Sequence, residues 1–109
     1  MENKNPEENN GGVLTAGMKK EEFYARLREE LNNHHQWPTR YMFKFILPNE
    51  ERRVDELRRR FEDLDYDFKR SFSRNGKYVS LTFITEMTSA EAIIDRYRKV
   101  EDIEGLIAL

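Results

Sequence analysis

From residue 40 onward the sequence switches between two hydrophobic periods, and the order of those switches constrains the fold more than any other feature. Tyr41, Phe43, Phe45 and Leu47 recur at every second position, with Met42, Lys44 and Ile46 between them, which predicts a strand with one buried face. Pro48 ends this run, and Asn49 is placed to cap the helix that follows. In that helix Val54, Leu57, Phe61 and Leu64 fall three or four positions apart and form one apolar stripe. Two strands come next, over 66–73 and 77–85, joined by Arg74, Asn75 and Gly76. Asn-Gly between alternating runs is a strong hairpin signal, because both residues tolerate positive φ.

In the second of these strands Val79, Leu81 and Phe83 share one face, while Tyr78, Ser80, Thr82 and Ile84 share the other. Thr88 and Glu91 have capping-box spacing and open a helix that buries Ala90, Ile93, Ile94, Tyr97 and Val100. Residues 105–109 (GLIAL) read as a last apolar strand. The order β-α-β-β-α-β, with right-handed crossovers around a central hairpin, predicts an α+β ferredoxin-like sandwich. Its sheet is four-stranded and antiparallel, in order 4-1-3-2, with both helices on one face. The sequence leaves the burial of the 66–73 strand open, since Arg70 lies on the side of Phe68 and Phe72; a bulge or an edge position is expected there.

Upstream of the sandwich the pattern differs. Phe23, Leu27 and Leu31 mark an amphipathic helix over 18–33, which the segment 34–38 (HHQWP) breaks. Residues 1–17, rich in Asn, Glu and Gly, have no apolar face to bury and read as a disordered tail. The expected division is therefore a tail at 1–17, a helix and linker at 18–36, and one domain at 37–109. No run of apolar residues is long enough to span a membrane, and the first residues lack a signal-peptide layout.

With 109 residues and no cysteine, the chain fits one small domain and excludes disulfides, thiolate metal sites and thiol nucleophiles. A reducing cytoplasmic setting is expected. All of the net charge of −2 sits in the tail, as Glu2, Glu7 and Glu8 against Lys4, so the remainder is formally neutral. Nucleic-acid binders usually carry a basic domain or stripe. Here Arg52, Arg53, Arg58, Arg59 and Arg60 are interleaved with Glu50, Glu51, Asp55, Glu56, Glu62 and Asp63, the pattern of a solvated helix face. Nucleic acid is disfavoured as a partner.

Three segments together resemble a known family: 37–46 (WPTRYMFKFI), 73–82 (SRNGKYVSLT) and 100–109 (VEDIEGLIAL). They are similar to the YbeD-like family of small bacterial proteins of unknown function, in which a Pro-containing entry leads to an aromatic first strand. The resemblance covers about 37–109. It implies a ferredoxin-like fold similar to the ACT regulatory domains that bind amino acids or other small effectors. It brings no catalytic residues with it.

The residues themselves also argue against catalysis. His34 and His35 are adjacent, point to opposite sides of an extended chain, and have no carboxylate spacing to complete a metal shell. No elbow motif surrounds Ser71, Ser73, Ser80 or Ser89, and no Gly-rich phosphate loop exists among five glycines. Asp63, Asp65 and Asp67 fall among basic residues on a connection, as solvated carboxylates do. No enzyme, cofactor or metal is expected.

What remains is the open side of the sheet. Met42, Lys44, Ile46, Tyr78, Ser80, Thr82 and Ile84 form a semi-apolar candidate interaction face, joined by either Leu106 and Ala108 or Ile107 and Leu109. Either the 18–33 helix covers it with Phe23, Leu27 and Leu31, or another chain does. An RNA-recognition platform would need stacking aromatics on two strands, and only Tyr78 is offered. The expected function is an ACT-like regulatory or protein-interaction module, homo-oligomeric or bound to a protein partner. A small-molecule effector sensor and an RNA-binding domain are the alternatives.

Overall fold

The computed structural model describes residues 18–109, and the tail expected over 1–17 lies outside them. The elements are α1 (Met18–His34), β1 (Thr39–Pro48), α2 (Glu51–Arg59), β2 (Tyr66–Phe72), β3 (Tyr78–Met87), α3 (Ala90–Val100) and β4 (Ile107–Ala108). The strands form one antiparallel sheet in the order β2-β3-β1-β4. Counted from β4, the same neighbours read 4-1-3-2. The fold is α+β, with a four-stranded antiparallel sheet and three helices.

Alternation along β1 sets the layers. Phe43, Phe45 and Leu47 are fully buried, and so are Val79, Leu81 and Phe83 opposite them on β3. Helices α2 and α3 both close this face. The ring of Phe43 meets Phe61, just beyond α2, at 5.2 Å and Tyr97 of α3 at 5.3 Å. Phe61 also stacks on Phe83 at 4.1 Å. All five apolar positions expected on α3 are buried.

Several local expectations are corrected. Helix α2 is capped at Glu50 with no side-chain hydrogen bond, not at Asn49. Asn49 is held elsewhere: its Nδ2 donates to the Gly76 carbonyl at 2.8 Å and its backbone N–H to that of Lys77 at 2.9 Å. The cap of α3 is Ser89, not Thr88, and its hydroxyl accepts from the Ala92 N–H at 3.0 Å. Glu91 makes no capping box because its carboxylate binds Arg28 of α1. Strand β2 pairs with β3 over all seven residues without a bulge and lies at the sheet edge. Arg70 fits on the helix side of that edge because Glu51 of α2 faces it at 3.6 Å.

Helix α1 does not cover the open sheet face. It packs on α3: Tyr24 and Leu31 are buried, and Phe23 and Leu27 are partly so. The Arg98 guanidinium lies 4.4 Å over the Tyr24 ring and pairs with Glu21, while the Tyr24 hydroxyl donates to Glu101 at 3.2 Å. The linker carries a cis Trp37–Pro38 bond.

Candidate functional site

Strand register places the seven expected face residues in rows across the sheet. Met42 pairs with Ile84, Lys44 with Thr82, Ile46 with Ser80, and Tyr78 with Pro48. Directly paired residues in an antiparallel sheet share a face, so all seven do come together. Met42 and Tyr78 are 55% and 50% exposed. Lys44 is exposed, Ile46, Ser80 and Ile84 are half-buried, and Thr82 is buried with only 8% exposure.

Strand β2 extends each row with residues that were not anticipated: Asp67 beside Ile84, Lys69 beside Thr82, and Ser71 beside Ser80. A signal for them was present, since counting outward from the Asn75-Gly76 turn fixes this register. At the other edge Ile107 pairs with Ile46, while Ala108 is buried on the helix side. The last strand thus presents Ile107 outward, one of the two arrangements left open by the sequence.

Two features of the face are chemically specific. First, Thr82 sits between Lys44 and Lys69, one strand spacing from each, so the two lysines stand about 10 Å apart with Thr82 between them. Neither lysine forms an ion pair with a described residue, and the Thr82 hydroxyl makes no hydrogen bond with one. Second, the hydroxyls of Ser71 and Ser80 bond each other at 2.9 Å and separate two hollows. One, of about 460 Å³, is bounded by Lys44, Lys69, Arg70 and Thr82. The other, of about 170 Å³, is bounded by Ile46, Phe72, Ser73 and Tyr78.

Carboxylates on this face and beyond it are engaged by arginines. Asp67 accepts from Arg40 at 2.9 Å, and both Asp63 oxygens accept from Arg96 at 2.8 Å, which holds the Asp63 carboxyl below its usual range. Asp65 contributes its backbone carbonyl to the Thr85 hydroxyl. His34 Nδ1 lies 2.9 Å from the Glu30 carbonyl, and the His35 ring packs beside Trp37 and Tyr41. The two histidines have separate partners.

Over residues 32–109 the chain matches the family described as protein of unknown function (DUF493). The chain belongs to the DUF493 family. This bears out the YbeD-like resemblance, and the DUF493 match takes in the linker and every strand. No curated protein matches. A solved structure of an uncharacterized protein from Thermotoga maritima is similar, with a TM-score of 0.52 at 18% identity. The likeness covers 64% of this chain and 90% of that one, and at this identity it shows the fold alone. Among the described residues of this DUF493 chain, no helix is long and apolar enough to cross a membrane.

Proposed function

We propose that this chain is a non-enzymatic, cytoplasmic regulatory module of ferredoxin-like topology, similar to ACT domains in acting by binding rather than bond chemistry. One observation carries the reading: α1 packs on α3, so among the described residues no helix covers the opposite sheet face, which is open to a partner. The pairing of Asp63 and Asp67 with arginines supports the absence of acid–base catalysis.

A second copy of the chain fits the free edge of β1. Strand β4 pairs only with Phe45 and Ile46, and the Leu109 N–H reaches the Lys44 carbonyl at 2.9 Å. The backbone of Met42 and Arg40, pointing the same way as that of Lys44, meets no described strand and offers a template for β-pairing. The β2 edge is poorer, because Lys69 and Arg70 stand on it. Sedimentation velocity at micromolar concentration tests this. Association is expected, and Met42→Pro should abolish it, since the lost N–H points away from β3. A strict monomer would overturn the homo-oligomer.

The small-molecule sensor is a second reading, favoured by the two adjoining hollows on either side of Ser71 and Ser80. RNA binding has less support, because Tyr78 is the one aromatic among the paired open-face residues.

A further inference from the structure

We infer that the open face holds a site for a phosphate monoester attached to a flat, largely apolar body, such as a mononucleotide. The inference rests on the sensor reading above and gives its ligand a chemical class.

The basic hollow supplies the anion site. Lys44 and Lys69 flank Thr82 from neighbouring strands, and their flexible stems let both ammonium groups converge above it. Each carries a charge that no described carboxylate neutralises. Thr82 is more than nine-tenths buried, lines this hollow, and has a hydroxyl with no protein partner among the described residues. The Thr82 hydroxyl opens into the basic hollow without such a partner, so its hydrogen-bonding capacity is left for a ligand oxygen there. Ser71 and Ser80 add two hydroxyls at the rim. Two ammonium groups, the Thr82 hydroxyl and the one serine O–H left by the Ser71–Ser80 bond offer more donors than the two oxygens of a carboxylate use. The three terminal oxygens and near-dianionic charge of a phosphate monoester match them better. A volume of about 460 Å³ lies within the range of small-ligand sites.

The body of the ligand follows from the neighbouring hollow. It adjoins the basic one across the Ser71–Ser80 pair and is bounded by Ile46 and the half-exposed Tyr78. That surface is mainly apolar with an aromatic wall, which suits a planar ring. A phosphate over Thr82 and a ring beside Tyr78 lie along one strand, β3, four residues apart on the open face.

The test uses the full chain with adenosine monophosphate, adenosine, inorganic phosphate and a uridine octamer as probes, read by thermal shift and by calorimetry at low salt. Adenosine monophosphate should raise Tm by a few degrees at millimolar concentration and bind more tightly than adenosine or phosphate. The double variant Lys44→Gln/Lys69→Gln should weaken it by about tenfold or more. Thr82→Val should weaken it while keeping the side-chain volume. Both lysines are exposed, so the double variant should keep the wild-type Tm without ligand. Adenosine binding as tightly as adenosine monophosphate would overturn the site, as would nucleotide binding indifferent to the lysine variant. So would binding of the octamer alone, with a salt slope of several phosphates, which would move the face to RNA. Self-association through the β1 edge is measured without nucleotide, so either idea can fail while the other stands.

Discussion

Arg96 of α3 lays its guanidinium fork on Asp63, with Nη1 and Nη2 each 2.8 Å from a carboxylate oxygen. Nη1 also donates to the Arg60 carbonyl at 2.7 Å, and the guanidinium lies 5.5 Å from the Phe61 ring centre. The pair is lopsided: the Arg96 side chain is 8% exposed and that of Asp63 59%. Removing the exposed member therefore strands a buried cation, whereas removing the buried one leaves a carboxylate that water can solvate. Asp63→Ala is expected to cost about 2 kcal/mol, and Arg96→Met less than half of that, because methionine refills the apolar stem. Urea unfolding of both variants checks the order, and the opposite order would refute the lopsided pair.

Acid should unfold the protein through the same kind of contact. Arg96, Arg98 and Arg60 bond the carboxylates of Asp63, Glu21 and Asp102, and each holds its carboxyl below the ordinary value. A carboxyl whose folded pKa lies below its unfolded one contributes stability above the unfolded value, near pH 4. That contribution disappears as pH falls through the folded value. Tm should thus hold steady from pH 7 to 5 and drop below about pH 4, with a shallower drop in Asp63→Asn. All three carboxylates are largely exposed, so solvent screening keeps each share small. Scanning calorimetry across this range gives the slope.

The alternating strands and the α3 stripe were legible because burial repeats with the element's own period: Phe43, Phe45 and Leu47 at two, Ile93, Tyr97 and Val100 at three to four. Contacts set by tertiary partners were not. Thr88 and Glu91 have the right spacing for a cap, but Arg28 from α1 takes the carboxylate. Asn49 is a good cap by type, but the hairpin turn holds its amide. The open face was half legible: the β1 and β3 residues followed from parity, while Lys69 and Ser71 were obscured by Arg70, whose partner Glu51 lies on another element. The stripe on α1 was read from phenylalanine and leucine alone, which missed Tyr24, whose hydroxyl needed Glu101 to permit burial.

The α3 cap offers a sharp comparison between adjacent hydroxyls. Ser89 accepts from the Ala92 N–H at 3.0 Å, so Ser89→Ala leaves that donor without its partner and is expected to cost about 1 kcal/mol. Thr88→Ala removes no cap and should cost a few tenths at most. For a domain of this size the first change corresponds to a Tm loss of about 4–8 °C. Equal losses in the two variants would return the cap to Thr88.

Gly105 shows the clearest dependence on a missing side chain. Its φ is +83°, in the region that L side chains rarely adopt, just before the chain enters β4. A Cβ there would lie 3.0 Å from Pro48 Cδ and 3.1 Å from Pro48 Cγ, and the proline ring cannot swing aside as a flexible chain end would. Strain and overlap thus add in Gly105→Ala, which is expected to cost about 2 kcal/mol. Gly76, with φ +75° but open space around it, separates the two causes, since Gly76→Ala suffers the strain alone and should cost about 1 kcal/mol. Hydrogen exchange gives a second readout. In Gly105→Ala the Leu109 N–H, bonded to the Lys44 carbonyl, should lose protection, while the Ser73 N–H, bonded to the Tyr78 carbonyl in the hairpin, should keep it. Loss of protection at both amides would mean global unfolding and would refute a local role for the Gly105–Pro48 contact.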